Sequence, residues 1–368
     1  MRVGSVIEIK DNEFRAGITP ADVQQYVAHG HDVILQKGLG VCSGYTDEAY
    51  EAQGAVMYDN AKDVWDEADL MVKVKEPMGE ELNRMHEGQI VFTYFHMAAN
   101  RPLTEALLEK KVSAVAYETV KDAVGHLPLL SPMSQIAGRL SLFAGAHALQ
   151  KPNGGSGVLL SGVPGVRSAN VLIIGGGVVG TNAAVMAHGI GSNVKIMDKN
   201  HKRLAELDLQ FNSQVETLYS DEETISRNIK DADLVISTVL IPGASAPKLI
   251  KKHHIASMKE GSVIVDVAID QGGSTELSRP TTHTHPTYVE NGVVMYCVSN
   301  MPGAVPFTAT TSLTNATIQY GLKLADEGIE VIRKNKPLYY GLNTYMGHVT
   351  NQGVAGSYLS LLTLVLSH

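Results

Sequence analysis

The feature that most restricts how this chain of 368 residues can fold is a glycine-rich segment near its middle. An apolar run over residues 171–174 leads directly into residues 175–180, Gly-Gly-Gly-Val-Val-Gly, whose spacing fits G-x-G-x-x-G. A helical stretch over residues 181–189 follows, and the next apolar strand ends in Asp198. This order, with an acid about 20 residues past the glycines, is typical of a dinucleotide-binding βαβ unit.

Each part of the motif has a physical role. Gly175 allows the tight turn after the strand, Gly177 lets the backbone approach a pyrophosphate, and Gly180 lets the helix pack closely on the strand. The first N–H groups of the helix are then available to the diphosphate. Asp198 would accept hydrogen bonds from the adenosine ribose and would repel a 2′-phosphate, so we expect NAD as the cofactor.

Two cations follow Asp198 closely and favour the other cofactor, NADP. Lys199 and Arg203 could each meet a 2′-phosphate, which would admit NADP. The acid comes first, at the end of the strand, and therefore the sequence favours NAD.

Strands alternate with helices on both sides of the motif, which predicts an α/β fold with parallel sheets. We expect two Rossmann-like, doubly wound domains joined by long helices over residues 131–149 and 309–335. The NAD-binding domain, residues 131–305, would be inserted into a discontinuous substrate domain, residues 1–130 and 306–368. Strands are predicted at 3–9, 32–36, 70–75, 89–95 and 112–118 in the first series, and at 171–174, 193–197, 215–218, 234–237, 263–267 and 293–297 in the second. A last helix is predicted at 354–366.

Composition excludes several classes of function. Lys and Arg total 30 and Asp and Glu total 38, so the net charge of −8 lacks the basic footprint of a nucleic-acid-binding protein. Cys42 and Cys297 lie far apart and fit neither a disulfide framework nor a zinc site. Since no apolar run reaches about 18 residues and no signal-peptide pattern is visible, we expect a cytoplasmic protein without a membrane partner.

Two histidine clusters are weak candidates for metal binding. His253 and His254 follow two lysines, whose charge disfavours a cation, and His283 and His285 lie in a segment typical of a loop. We therefore expect no metal.

Polar residues follow three strands of the first series. Arg15 follows the first strand, Lys73 and Lys75 alternate with valines at the end of another, and His96 ends a third. Arginine binds carboxylates with two parallel hydrogen bonds, lysine can polarise a carbonyl, and histidine exchanges protons near neutral pH. These residue types suit a small carboxylate substrate. Surface charges and a loop histidine would give the same pattern, and spacing alone does not bring the three together.

The second series offers one more reactive candidate. The strand near residue 263 ends in small residues, and Asp266 or Asp270 would then stand near the reacting carbon. A carboxylate that caps the loop is the alternative for Asp270.

With these motifs in place, the chain resembles the NAD-dependent L-alanine dehydrogenases. The resemblance covers nearly the whole chain in order. It rests on Met1-Arg2-Val3-Gly4, Asn12-Glu13-Phe14-Arg15, Val72-Lys73-Val74-Lys75-Glu76-Pro77, Phe92-Thr93-Tyr94-Phe95-His96, Tyr117-Glu118-Thr119-Val120, Leu130-Ser131-Pro132-Met133-Ser134, residues 175–180, residues 266–273 and Val298-Ser299-Asn300-Met301-Pro302-Gly303.

The resemblance implies roles for individual residues. Arg15 and Lys75 would hold the substrate, with Lys75 also stabilising the oxyanion, His96 and Asp270 would be the catalytic acid and base, and Asn300 would line the substrate pocket. NAD contacts are implied for Ser134, Gly175, Gly177, Val178, Val179, Gly180, Asp198, Arg203, Ser220, Val239, Leu240, Val267, Ala268, Ile269, Asp270, Val298, Ser299, Asn300 and Met301. The family usually has lysine at the position of Arg203.

The resemblance also implies a reaction and an assembly. L-alanine would be deaminated reversibly to pyruvate and ammonia through iminopyruvate, by a homohexamer. Two related enzymes are alternatives, the NAD-binding component of a proton-translocating transhydrogenase and a lysine-forming saccharopine dehydrogenase. A third is a non-catalytic NAD-binding protein.

Overall fold

The computed structural model describes residues 1–239 and 246–358. The chain divides into two compact units, one formed by Met1–Met133 with Gly303–His368 and the other by Ser134–Pro302. The strands are β1 Arg2–Ser5, β2 Asp32–Gln36, β3 Val56–Tyr58, β4 Leu70–Val72, β5 Ile90–Thr93, β6 Ser113–Ala116, β7 Asn170–Ile174, β8 Asn193–Asp198, β9 Glu216–Tyr219, β10 Leu234–Ser237, β11 Val263–Asp266, β12 Thr287–Glu290, β13 Val293–Tyr296, β14 Leu342–Tyr345 and β15 His348–Val349.

The helices fill the connections between the strands. They are α1 Pro20–Ala28, α2 Asp47–Glu51, α3 Ala61–Glu67, α4 Glu81–Arg84, α5 Arg101–Glu109, α6 Ser131–Ala148, α7 Val178–Gly189, α8 His201–Gln210, α9 Glu222–Ile229, α10 Lys252–Ala256, α11 Pro306–Glu327, α12 Lys336–Gly341 and α13 Gln352–Ser357. No helix in the described part of the chain is long and apolar enough to cross a membrane.

The first unit is built on a sheet with the order β15-β14-β6-β5-β4-β1-β2-β3. Strands β1 to β6 are parallel, and β14 and β15 extend the sheet with antiparallel pairs. The chain winds outward in both directions from the β1–β4 pair, so their carboxyl ends form the switch point at which a doubly wound sheet binds its ligands.

The second unit repeats this plan with the order β12-β13-β11-β10-β7-β8-β9. All of its strands are parallel except β12, which pairs antiparallel with β13. The switch point lies between β7 and β10. Strand β7 is buried from Val171 to Ile174, as expected for a strand covered on both faces. The prediction of two Rossmann-like α/β domains is confirmed.

Several element boundaries differ from the sequence predictions. Strand β1 ends at Ser5 and β4 at Val72, before the residues predicted to end them. The long helix α11 ends at Glu327, because Gly328 adopts a φ of 67°, and a 3₁₀ segment replaces its predicted last turns. Strands β3, β12, β14 and β15 were not predicted. Helix α13 ends at Ser357, and the rest of the helix predicted at 354–366 falls mainly outside the described residues.

A buried carboxylate joins several elements of the second unit. Asp233, 2% exposed, lies just before β10 and accepts hydrogen bonds from Arg167 Nη1 at 2.7 Å and from the Asn170 backbone N–H at 2.8 Å. Lys259 Nζ pairs with the same carboxylate. Burial alone would raise the pKa of Asp233, but the two cations outweigh it and lower the pKa to about 2.

We expect Asp233→Asn to lower the free energy of unfolding by about 2 kcal/mol at pH 7. The carboxylate's contribution is complete above its unfolded pKa of 3.8 and is lost as pH falls through about 2. The difference between wild type and variant should therefore narrow over that acidic range. Urea denaturation at a series of pH values measures it, and an equal difference at pH 7 and at pH 2 would contradict the assignment.

Candidate active site

The loop after β7 has the geometry of a phosphate-binding turn. Gly175 adopts a φ of 108°, which favours glycine, and a Cβ at Gly180 would lie 1.8 Å from the Gly175 carbonyl oxygen. A Cβ at Gly177 would meet no atom within 4 Å, so the loop leaves open space beside that residue. Helix α7 begins at Val178 without a side-chain cap, which leaves its first N–H groups available to an anion. These features fit a bound dinucleotide.

Asp198, at the end of β8, is held beside this loop. Its Oδ2 accepts the Gly176 N–H at 2.8 Å, and its Oδ1 accepts the Asn200 N–H at 2.8 Å. Each carboxylate oxygen has a second lone pair, so both can still accept a hydrogen bond from a hydroxyl group. The Ser220 N–H donates to the Asp198 backbone oxygen at 3.0 Å, which ties β9 to the same edge.

Arg203 braces the glycine loop. Its Nε donates to the Gly176 carbonyl oxygen at 2.7 Å, and its Nη2 donates to Thr181 Oγ1 at 2.7 Å. Its Nη1 forms an ion pair with Glu206 at 2.8 Å. The guanidinium thus has protein partners on three sides, a role that the sequence did not reveal. The Gly176 oxygen and the Thr181 hydroxyl would both have to give up a partner if Arg203 turned fully toward a 2′-phosphate.

The two acids after β11 have different surroundings. Asp266 is 1% exposed and accepts hydrogen bonds from Ser274 N at 2.8 Å, Ser274 Oγ at 2.9 Å and Ala268 N at 3.1 Å. Its carboxylate therefore holds the loop in place. Asp270 is exposed in the following 3₁₀ segment, Val267–Gln271. Of the two acids that the sequence left open, the structure makes Asp270 the accessible one.

The other residues implied to contact NAD follow neighbouring strands or start α6. Because β7, β10, β11 and β13 are adjacent and parallel, the segments after them lie along one edge of the sheet. The set comprises Val178, Val179, Val239, Val267, Ala268, Ile269, Val298, Ser299, Asn300 and Met301, with Ser134 in the first turn of α6. Leu240 lies outside the described residues.

Asn300 is a backbone outlier at this edge. Its φ is 64°, and its carbonyl oxygen lies 3.3 Å from His283 Nε2. A non-glycine residue in the left-handed region is uncommon and is often found at functional sites.

Arg15, in the loop after β1, is buried and paired. Its Nε and Nη2 donate to the two Glu13 carboxylate oxygens, each at 2.6 Å, and its Nη1 lies 2.9 Å from Met133 Sδ. Burial opposes the charge, but the Glu13 carboxylate outweighs it and raises the pKa of Arg15. Glu13 therefore fixes the guanidinium, a partnership that the sequence analysis missed although the two residues are close in the chain.

The two lysines after β4, Lys73 and Lys75, lie in different environments. Lys73 is fully buried, and its Nζ pairs with Glu8 Oε2 at 3.0 Å and Glu81 Oε1 at 2.9 Å. It is therefore an internal ion-pair partner and not a ligand of the substrate or a surface charge. Lys75 is 8% exposed, and its carbonyl oxygen accepts a hydrogen bond from Thr93 Oγ1 at 3.0 Å. Of the two, Lys75 alone reaches solvent.

His96 lies in the loop after β5, which ends at Thr93 and so before the predicted strand end, and it adopts a strained left-handed conformation. Its φ is 52°, its side chain is exposed, and its ring stacks on Tyr94 with centroids 6.3 Å apart. The His96 backbone N–H donates to Glu118 Oε1 at 2.7 Å, and Phe95 N donates to the same oxygen at 3.1 Å. Glu118, which follows β6, thus holds the turn that presents His96. Its segment contributes to the family resemblance, but no role for Glu118 was predicted from the sequence, because the contact depends on the pairing of β5 with β6.

Arg15, Lys75, His96 and Glu118 follow β1, β4, β5 and β6, which are neighbours in the first sheet. Parallel strands place these segments along one edge, at the switch point and beside it. The edge thus combines a guanidinium, an amine and an imidazole, which can bind a small carboxylate, polarise a carbonyl and transfer a proton.

One cluster could be considered for a metal ion. Among the described residues, Glu222, His253 and His254 bring three ligand atoms within 4.8 Å of one another. Lys251 Nζ already pairs with Glu222 at 2.7 Å, and its backbone N–H lies 3.1 Å from His254 Nδ1. Ser226 Oγ lies 2.7 Å from His254 Nε2. Both nitrogens of His254 are engaged, so the cluster is poorly prepared for a cation.

Comparison with known proteins identifies the family. The profile "Alanine dehydrogenase/PNT, N-terminal domain" matches residues 4–137, and "Alanine dehydrogenase/PNT, C-terminal domain" matches residues 141–352. The alanine dehydrogenase of Methanococcus maripaludis is 52% identical over 357 residues, covering 96% of both chains. That of Mycobacterium tuberculosis is 49% identical over 356 residues, again covering 96% of both.

Solved structures agree with the sequence relatives. A structure titled L-alanine dehydrogenase matches with a TM-score of 0.94 at 47% identity, covering 98% of this chain and 99% of that one. A transhydrogenase structure from Sinorhizobium meliloti matches with a TM-score of 0.80 at 23% identity, which shows a shared fold. With both domain profiles matched in order along nearly its full length, the chain belongs to the alanine dehydrogenase/PNT family.

Proposed function

We propose that this protein is an NAD-dependent L-alanine dehydrogenase. The reaction would be the reversible conversion of L-alanine, NAD⁺ and water to pyruvate, ammonium, NADH and a proton. The observation that carries the proposal is the identity of about one half, over nearly the whole length, to several proteins named alanine dehydrogenase. The residue types at the carboxyl edges of both sheets support it, because they suit a small amino acid and a dinucleotide.

The proposed roles follow from the chemistry of the side chains. The nicotinamide cofactor, when bound, supplies the acceptor for the hydride that leaves the alanine Cα, and iminopyruvate remains. Arg15, held by Glu13, would bind the substrate carboxylate. Lys75 would stabilise the oxyanion that develops when water adds to the imine carbon. His96 and Asp270 would move protons to and from the adding water and the departing ammonia, and Asn300 would line the substrate pocket.

The proposed division of labour follows the predicted domains. Residues 1–130 and 306–368 would bind the substrate, and residues 131–305 would bind NAD. The cofactor contacts proposed are the residues named in the sequence analysis, from Ser134 to Met301, with Leu240 retained among them. From the family resemblance we also propose a cytoplasmic homohexamer, which sedimentation equilibrium of the purified protein would test.

NAD is the proposed cofactor because Asp198 is held beside the glycine loop with lone pairs to spare, while Arg203 is engaged with the loop itself. We expect Asp198→Ala to weaken NADH binding about tenfold or more, since charge-assisted hydrogen bonds to the ribose are lost. The preference for NADH over NADPH should fall at the same time. Fluorescence titration with both cofactors measures it, with the exposed Glu260→Ala as control. An unchanged affinity ratio would remove the role of Asp198 in cofactor choice.

Absorbance at the NADH band tests the function itself. Purified protein is mixed with NAD⁺ and L-alanine at alkaline pH, beside D-alanine, saccharopine and NADP⁺. We expect a rise with L-alanine and NAD⁺. A rise with saccharopine alone would instead indicate a saccharopine dehydrogenase. NADH binding without turnover of any amino acid would favour a transhydrogenase component or a non-catalytic NAD-binding protein.

A further inference from the structure

A buried charged cluster lies directly beside the segment that carries Lys75. It consists of Glu8, Lys73 and Glu81, which we call the Glu8 cluster. The three side chains are at most 2% exposed. Lys73 Nζ lies between the carboxylates of Glu8 at 3.0 Å and Glu81 at 2.9 Å. None of the three reaches solvent, so the cluster cannot itself bind the substrate.

The cluster stands where a strand is missing. Strand β4 lies between β1 and β5, but β1 ends at Ser5. On the β5 side, backbone bonds continue past the end of β4, with Lys73 N donating to Phe92 O at 3.1 Å and Tyr94 N donating to Val74 O at 3.4 Å. On the β1 side, the segment after Val72 has no partner strand among the residues that the structure describes.

Side chains replace the missing strand on that side. Ser5 Oγ donates to the Val72 carbonyl oxygen at 2.7 Å, and Glu8 Oε1 accepts the Val74 backbone N–H at 2.7 Å. Glu8 Oε2 holds Lys73 at the same time. One carboxylate thus fixes both residues that precede Lys75. At the far end, Glu81 Oε2 accepts the Met78 N–H at 3.2 Å, so the segment is held beyond Lys75 as well.

The buried charges of the Glu8 cluster explain how it restricts the backbone. Burial, with help from Glu81 and Glu13, raises the pKa of Glu8 above its usual value, although Lys73 and the Val74 backbone N–H act to lower it. A buried ionic cluster of this kind adds little stability over apolar side chains of similar volume, because desolvation offsets the attraction. Its hydrogen bonds nevertheless restrict the backbone to one position, since a shift would leave charged groups and the Val74 N–H unpaired in the interior.

We propose that Glu8 is a positioning residue for Lys75. Its carboxylate takes the place of a β-strand partner and sets the backbone from which the Lys75 amine reaches the carboxyl edge of the sheet. The consequence for catalysis rests on the proposed function, because Lys75 acts on a substrate only if the enzyme turns one over. The effect of Glu8 on the position of Lys75 does not depend on that function.

Two variants of similar size separate the acceptor atom from the charge. Glu8→Gln and Glu8→Met both remove the carboxylate charge and leave Lys73 paired with Glu81, but only glutamine offers an oxygen to the Val74 N–H. We expect Glu8→Met to lower kcat/KM for L-alanine about tenfold, because small misplacements of a catalytic group are costly. Glu8→Gln should stay within about threefold of wild type. Equal losses in both variants would overturn the proposal.

A double-mutant cycle tests whether Glu8 acts through Lys75. In a Lys75→Ala background, Glu8→Met should change kcat/KM by less than about twofold, because the group that it positions is absent. An unchanged tenfold effect in that background would show that Glu8 acts elsewhere. Glu8→Met should unfold at a lower temperature than Glu8→Gln, because the buried Val74 N–H loses its acceptor. Each variant should still unfold cooperatively and keep a wild-type NADH dissociation constant, which separates positioning from loss of the fold.

A labelling experiment decides the proposal independently of the reaction. Reductive methylation with formaldehyde and cyanoborohydride is followed at Lys75 by peptide mass spectrometry, with the exposed Lys111 as internal reference. Methylation of Lys75 should be several-fold faster in Glu8→Met than in wild type and nearly unchanged in Glu8→Gln. Equal rates in all three would refute the positioning role. If wild type turns over no amino acid, the proposed function fails while this measurement still gives its answer.

Discussion

Replacing Lys75 with alanine is expected to lower kcat with L-alanine and NAD⁺ by about 10²–10³-fold, the loss typical when one preorganised donor to a developing oxyanion is removed. Lys75 follows β4 at the carboxyl edge of the first sheet, where its burial and the hydrogen bond from Thr93 to its carbonyl oxygen limit its movement. Its effect should appear in turnover, and NADH affinity should be unchanged, because the proposed cofactor contacts lie in the other unit.

His96→Ala should lower kcat on a similar scale, about 10²–10⁴-fold, as expected for loss of a general acid and base. The substitution leaves the backbone hydrogen bond from His96 N to Glu118 in place, so the turn should persist. Steady-state kinetics in both directions and fluorescence titration with NADH provide the measurement for both variants.

Two matched substitutions control for the loss of any lysine or histidine from this unit. Lys111 and His86 are exposed, and neither follows a strand at the site edge. Lys111→Ala and His86→Ala should retain activity within about twofold, as is usual for surface substitutions. A His96→Ala variant with near wild-type kcat would remove His96 from the proposed chemistry, and the same result for Lys75→Ala would remove the oxyanion role.

The second large effect concerns the glycine loop, where Gly180→Ala should lower both stability and NADH affinity and Gly177→Ala should lower NADH affinity alone. At Gly180, a Cβ would overlap the Gly175 carbonyl oxygen at 1.8 Å, so Gly180→Ala must separate α7 from β7. Overpacking of this kind costs about 1–3 kcal/mol of stability, and here it also displaces the phosphate-binding turn. We expect a lower melting temperature together with loss of most NADH affinity.

Gly177→Ala should leave the fold intact. Its φ is −69°, which any residue adopts, and the new Cβ would meet no protein atom within 4 Å. If the open space is the path of the pyrophosphate, NADH affinity should still fall about tenfold or more, because the methyl group blocks the approach of the phosphate to the backbone. Calorimetry and NADH titration of both variants separate the two effects.

Gly189→Ala is the matched control for these two variants. It lies at the end of the same helix, and its Cβ would also meet open space, but it is remote from the loop. Gly189→Ala should change neither the melting temperature nor the NADH affinity appreciably. Unaltered NADH binding by Gly177→Ala would contradict the placement of the pyrophosphate, and unaltered stability of Gly180→Ala would contradict the close packing.

Much of the fold was readable in the sequence because local patterns carry it. The apolar runs located the interior strands of both sheets, and the glycine motif located the turn before α7. The short strands β3, β12, β14 and β15, which lie at or next to sheet edges, were not predicted because their stability comes from pairing with neighbours and not from their own composition. The ends of β1 and β4 were misplaced for a related reason, since side chains of Ser5 and Glu8 replace the ladder there.

The candidate site, too, was predictable only where local sequence patterns determine it. Residue types and the family resemblance selected Arg15, Lys75, His96 and Asp198, because guanidinium, amine, imidazole and carboxylate are needed wherever such a reaction occurs. Residue type and spacing alone did not distinguish Lys73 from Lys75, or Asp266 from Asp270, and only the resemblance chose between them. In each pair the residues are close in the chain and chemically alike.

The sequence by itself determined the α/β class, the dinucleotide-binding motif and the inventory of reactive groups, because each depends on residues that are neighbours in the chain. Only the tertiary structure decided which groups are available and what holds them. Lys73 is enclosed by Glu8 and Glu81, Asp266 is saturated by its own loop, and Glu118 holds the turn at His96. Burial and hydrogen-bond pairing are set by the order of strands in the sheet, which brings together residues far apart in sequence.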